Sequence, residues 1–153
     1  MMKNRRKFGY FCDSTTGEIV DFQRLKLEHL EGRSIHPWLW WVKKPQYKLL
    51  EDLIYVDPLG IVWKIRKGFV FDGGTIPWIF WWLCPPDHPN ALPGFCIHDK
   101  ICLEPHPCSS RYGAFVLWAA ARANGMYAWG ALRNWFFVRF FGPQFNASGD
   151  NNV

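Results

Sequence analysis

Gly68-Phe69-Val70-Phe71-Asp72-Gly73-Gly74-Thr75-Ile76-Pro77, residues 68–77, is where the chain changes character. Phe69 to Phe71 is an extended apolar run. Gly73 and Gly74 then permit backbone angles closed to other residues, and Pro77 biases Ile76 toward an extended conformation. A sheet therefore hands over to a loop at Asp72. The chain before this point reads as short strands and turns, and the chain beyond the prolines Pro85, Pro86, Pro89 and Pro93 reads as helices.

Upstream, Leu49 to Val56 and Ile61 to Ile65 are rich in β-branched and aromatic residues and flank the turn signal Asp57-Pro58-Leu59-Gly60, which predicts an antiparallel pair. Nearer the start, Phe8 to Cys12 and Glu18 to Phe22 flank Asp13-Ser14-Thr15-Thr16-Gly17, which predicts a small hairpin. Leu25 to Trp41 mixes charges with Trp38, Trp40 and Trp41, is broken at Pro37, and reads as an extended or partly helical connection. Downstream, a short helix over Gly94 to Leu103 would carry His98 and Asp99. A second runs from Arg111 to Asn124, capped by Ser109 or Ser110 and ended by Gly125 in the left-handed conformation. A third, Tyr127 to Phe141, ends at Gly142-Pro143 by the same logic. The fold class expected is α+β: a small antiparallel sheet in the N-terminal half followed by two or three C-terminal helices.

At 153 residues the length suits one domain. Hydrophobic residues make up 49% and charged residues 20%, which excludes a wholly disordered or collagen-like chain. Aromatic residues reach 18%, with ten Trp, so some aromatic surface is expected to need a cover. No stretch approaches the roughly 18 apolar residues of a membrane span. The basic start, Met1 to Lys7, is not followed by an apolar signal core, so the cytoplasm is the expected location. The net charge of +5 is uneven: residues 1–46 hold nine basic against five acidic, 47–108 five against seven, and 109–153 four against one.

Five cysteines without a secretion signal favour reduced thiols or metal ligands over a disulfide framework. Cys96, His98, Cys102, His106 and Cys108 place five candidate ligands in thirteen residues, and thiolate with imidazole is the usual donor set for structural zinc. Their spacing matches no standard zinc template. On a helix, His98 and Cys102 share a face. The blander reading makes Cys96 and Cys102 small buried hydrophobes and leaves His106 and Cys108 in a Pro-rich loop. His98-Asp99, with Asp72 brought in from the glycine loop, forms a second candidate, since a His flanked by carboxylates can bind a divalent ion or move protons. The bland alternative has Asp72 capping a turn while His98 and Asp99 hydrogen-bond the loop packed on them. No G-x-S-x-G elbow, H-E-x-x-H helix or phosphate-cradling loop occurs.

Trp38, Trp40 and Trp41, and then Trp78, Trp81 and Trp82, concentrate six indoles in two short runs and are the candidate binding residues, because aromatics anchor interfaces at low entropic cost. The helix Tyr127 to Phe141 is apolar nearly all round, as buried or subunit-packing helices are. Nucleic acid draws support only from net charge and Lys3, Arg5, Arg6 and Lys7, and is the weaker partner class.

Tyr47-x-x-Leu50-x-Asp52-Leu53-x-Tyr55, Gly68-Phe69-Val70-x-Asp72-Gly73-x-Thr75-Ile76-Pro77, His98-Asp99, Ser110-Arg111 and Val138-Arg139-x-Phe141-Gly142 together resemble the domain-of-unknown-function family numbered 1353, over about residues 47–142. The resemblance implies a bacteriophage or prophage origin and a compact α+β domain, without an established activity. It divides the chain into a basic, Trp-bearing extension (1–46), a family-like domain (47–145) and a polar tail (146–153). The family's recurring polar residues match Asp72, His98, Asp99 and Arg111, whereas its usual acid after Ser-Arg-x-x-Ala is Phe115 here. The expectation is a phage accessory or virion-associated protein that docks on a phage or host protein through residues 1–46, in the host cytoplasm or the virion. The alternative is a metal-assisted hydrolase, with cell-wall material as a candidate substrate and zinc as the candidate metal, in which Asp72, His98 and Asp99 form the site and Arg111 holds an anionic group.

Overall fold

The structure, a computed structural model, describes residues 6–34, 43–73, 79, 82, 88–103 and 108–144. Among these residues seven strands precede three helices, so the chain is α+β as expected: β1 (Tyr10–Cys12), β2 (Ile19–Val20), β3 (Leu27–Ser34), β4 (Lys43–Leu49), β5 (Leu53–Val56), β6 (Val62–Ile65), β7 (Val70–Phe71), α1 (Leu92–Leu103), α2 (Ser110–Ala123) and α3 (Ala128–Phe141). The strands form two antiparallel sheets, one ordered β2-β1-β5-β6 and the other β3-β4-β7.

Local chemistry explains the turns. Asp13 Oδ1 accepts the backbone N–H groups of Thr15 and Thr16, each at 2.8 Å, and this turn joins β1 to β2. The run from Leu49 to Val56, expected as one strand, is divided between the sheets. Leu49 hydrogen-bonds Phe69 and Gly68 through its backbone, and Leu53 opens β5 opposite Ile65. Asp52 holds the crossing by accepting the Lys67 N–H at 2.8 Å. Of Leu25 to Trp41, residues 27–34 are extended rather than helical and pair with β4 as a strand instead of serving as a connection; residues 35–41 lie outside the described part.

The 1–46 segment, expected as an extension, is built into both sheets over its described part. β1 lies between β2 and β5, with Phe11 opposite Tyr55, and Tyr55 Oη donates to the carbonyl oxygen of Phe8. Alternation along β5 and β6 turns Leu53, Tyr55, Trp63 and Ile65 inward. They meet Phe11, Tyr47, Leu49 and Phe71, with Cys96, Ile97 and Ile101 of α1 and Val116 and Ala120 of α2. A second cluster, including Phe95, Leu117, Met126 and Phe137, lies among the helices.

Small residues let the helices approach. A Cβ at Gly94 would lie 2.9 Å from the Leu117 carbonyl oxygen, so a bulkier residue would force α1 and α2 apart. Ser109 caps α2 by accepting the Tyr112 N–H, and Gly125, at φ +84°, ends it in the left-handed conformation. Gly142 ends α3 differently from the expectation: its φ is −79°, and it is small because a Cβ would sit 2.3 Å from the Val138 carbonyl oxygen.

Two buried polar side chains lock these layers. Asp57, 3% exposed, accepts the N–H groups of Leu59 (2.9 Å) and Ile61 (3.0 Å) on Oδ1, and Trp63 Nε1 (3.0 Å) and Tyr112 Oη on Oδ2. Asn124, fully buried after α2, accepts the Gln23 N–H at 2.7 Å and donates to the carbonyls of Gln23 and Asn90.

Asp57→Asn removes an acceptor from a site with four donors and is expected to cost about 2 kcal/mol. Phe11→Ala should cost about 3–5 kcal/mol, and a chain lacking residues 1–46 should show no cooperative unfolding. Urea titration followed by tryptophan fluorescence checks all three; a cooperative transition in the truncated chain would contradict the integration of β1.

Candidate functional site

The candidate site begins where β7 ends. Pairing of β7 with β4 sets Phe71 opposite Tyr47 and places Asp72 immediately after the sheet. Its carboxylate accepts Gln46 Nε2 at 2.9 Å, and its backbone N–H donates to Asp99 Oδ2 at 3.0 Å. Asp72 and Asp99, 27 residues apart, are thus brought together as the His-Asp reading expects. The bond that joins them, however, is a carboxylate holding a loop N–H, as the bland alternative has it.

His98 lies 2% exposed between α1 and α2. The ring packs against Gly113 of α2, where an added Cβ would lie 3.6 Å from Cδ2, at ordinary van der Waals contact. Nδ1 is 3.9 Å from Asp99 Oδ1, beyond hydrogen-bond length. Cys102 Sγ lies 3.7 Å from the ring nitrogens, one helical turn on. Burial, then the Asp99 carboxylate and Cys108, push the Cys102 thiol up to about 12. It is a protonated neighbour of the imidazole at neutral pH. Arg111 is exposed in the first turn of α2.

The five candidate metal ligands behave differently from one another. Cys96 precedes His98 by two residues, which on a helix turns it to the far side of α1. There it packs in the core, and burial raises its thiol well above the ordinary value. Cys108, partly buried, is also raised by burial. His106 lies outside the described residues. Among the described residues no three His, Cys, Asp or Glu side chains converge as a metal site, and Cys12, Cys96, Cys102 and Cys108 form no disulfide. The pair brought together is His98 with Cys102.

Of the six candidate binding tryptophans, Trp82 is 81% exposed, and Trp38, Trp40, Trp41, Trp78 and Trp81 lie outside the described residues. The larger aromatic surface is on α3. Trp129 (67% exposed), Leu132, Phe136 and Phe140 follow one another at three- and four-residue steps, so they line one face. Buried Gly130, Ala131, Asn134, Phe137 and Val138 occupy the opposite face. A cleft of about 340 Å³ is lined by Trp129, Leu132, Arg133 and Phe136. A second, of about 240 Å³, lies between α2 and α3 and is lined by Phe115, Trp118, Leu132 and Trp135. Phe115, which stands where the resembled family usually has an acid, therefore lines an apolar depression. An apolar-all-round reading of the helix misses this stripe; its signal in the sequence is the spacing of Trp129, Leu132, Phe136 and Phe140.

A family model described as "Protein of unknown function (DUF1353)" matches residues 47–138. "Uncharacterized protein y4jT" from Sinorhizobium fredii (strain NBRC 101917 / NGR234) is 30% identical over 101 residues, which cover 65% of this chain and 30% of that protein. The chain thus spans about a third of that relative's length or less. No solved structure matches. No helix among the described residues is long and apolar enough to cross a membrane.

Because folding lifts the Cys102 thiol from the ordinary 9.0 to about 12, the native state keeps a proton that the unfolded chain releases in between. The resulting stability is fully present below pH 9.0 and is lost as pH rises toward about 12. Urea midpoints measured across that window should fall less steeply for Cys102→Ala than for the parent; parallel slopes would contradict the assignment.

Proposed function

The chain belongs to the DUF1353 family, and on that premise we propose that it is an accessory protein acting mainly through protein–protein contacts. The observation that carries this reading is the exposed stripe Trp129, Leu132, Phe136 and Phe140 on α3, bordered by two apolar clefts. Aromatic side chains left in water by the fold are what an interface buries, since they carry much apolar area at small entropic cost. The docking surface moves in consequence from residues 1–46, whose described part is structural, to the last helix. A phage-encoded, virion-associated setting in the host cytoplasm belongs to the same proposal.

A metal-assisted hydrolase is the second reading, and the meeting of Asp72 with Asp99 is the observation that favours it. In that reading Asp72, His98 and Asp99 would gather the ion, and exposed Arg111 would hold an anionic group. The seating of His98 between two helices gives it less support than the α3 face gives docking.

Full-length chain on a resin is expected to capture a defined protein from infected or lysogenic cells, and Phe136→Asp to abolish capture at a stability cost of about 1 kcal/mol, with the fold retained by circular dichroism. His98→Ala should instead destabilise the fold by about 2 kcal/mol or more, as buried large-to-small changes do. Capture untouched by Phe136→Asp would sink the docking surface. A hydrolytic activity lost in Asp99→Asn with the fold intact would replace it with the enzyme.

A further inference from the structure

Arg133 borders the exposed stripe of α3 and contributes to the 340 Å³ cleft with Trp129, Leu132 and Phe136. Its Nε is buried and has no hydrogen-bond partner among the described residues. A buried guanidinium N–H without an acceptor is unfavourable, and a carboxylate entering the cleft would satisfy it with a charge-assisted bond. The charge around it has one sign: from Ser109 to Gln144 the chain carries Arg111, Arg122, Arg133 and Arg139 and no Asp or Glu. Arg122 and Arg139 are otherwise engaged, donating to the Met126 carbonyl oxygen and to Gln144 Oε1 respectively. Arg133 is the cation set inside the apolar lining.

We propose that the α3 face receives an amphipathic helix of a protein partner, which places an Asp or Glu against Arg133 and apolar side chains in the two clefts. This rests on the protein-contact reading above and names the chemistry of the partner. The two depressions share Leu132 as the ridge between them, so they accept separate side chains, as a helix offers at i and i+3 or i+4. The acid is required at the apolar lining rather than away from it, because Arg133 is itself part of that lining. A bilayer fits less well, since its headgroups would meet cations at the edge of an apolar face rather than one sunk within it.

The test is selection of a displayed library of random helical peptides on the full-length chain, followed by titration of synthesised winners. Winners are expected to carry an apolar pair at helical spacing and one acid. Replacing that acid by its amide should weaken binding about tenfold or more on the parent, in keeping with a hydrogen bond to a charged group, but less than twofold on Arg133→Met. Circular dichroism verifies that Arg133→Met is folded, and Arg133→Lys, which retains the charge and loses Nε, provides a second arm with an intermediate loss.

Winners that bind the α3 face without an acid, or an acid whose removal costs the same on Arg133→Met, would overturn the proposed partner chemistry while leaving the docking surface intact. Two other outcomes would overturn the helical partner altogether and give the α3 face a different occupant. One is no enrichment together with co-sedimentation on phosphatidylcholine–phosphatidylglycerol vesicles that Phe136→Asp abolishes. The other is no enrichment together with a dimer, seen by light scattering, that Phe136→Asp dissociates.

Discussion

A carboxylate withdrawn from water must find acceptable company, and at Asp57 that requirement organises the domain. One oxygen is claimed by N–H groups of its own turn, the other by the indole of β6 and the phenol of α2. The turn can satisfy the first oxygen alone, but only a docked helix supplies the second with Tyr112. The same carboxylate, after burial, drives the Tyr112 and Tyr55 phenols above their ordinary values, so both stay protonated, as the network needs. Once Tyr112 is fixed, the rotation of α2 is fixed. Gly113 faces His98, Val116 and Ala120 enter the core, and Tyr112, Phe115 and Trp118 stack in a row that ends on Phe8.

Set beside that network, the His-Asp pair looks like a seam between sheet and helix. Asp99 clamps the loop leaving β7, and His98 packs against Gly113 of α2. These contacts give Asp72, His98 and Asp99 work in the fold whether or not they have any in chemistry. The outward face of α3 has fewer such duties: its neighbours in the helix form the core, and of its stripe Phe136 touches that core edge-on through Phe137.

Local signals in the sequence sufficed for several turns and caps. Asp13 to Gly17, Asp57 to Gly60, Ser109 and Gly125 each act within a few residues of themselves, and each turn or cap appears where its chemistry demands. What was not legible depends on distant partners. Leu49 to Val56 is a continuous β-forming run, and its division between two sheets is set by Phe69, Gly68 and Lys67, which arrive from later in the chain. Asp57 reads as a turn former until Trp63 and Tyr112 make it a hub, and Asn124 reads as the end of a helix until Gln23 meets it. The five His and Cys residues looked alike as a string. Helical phase separates Cys96 from His98 and leaves His98 with Cys102, a distinction that composition does not hold.

The position of β1 has a consequence in time. Its partner β5 begins some forty residues after it, Phe8 rests on Trp118, and Gln23 waits for Asn124, 101 positions away. Contacts of such span close late, because the chain must first lose the entropy of the intervening loop. During synthesis the amino-terminal strands therefore leave the ribosome with no lasting neighbour, and the aromatic core stays open until α2 has been made. The last helices act as the latch of the first strands, and the interval before they close is when this tryptophan-rich chain is most exposed to aggregation.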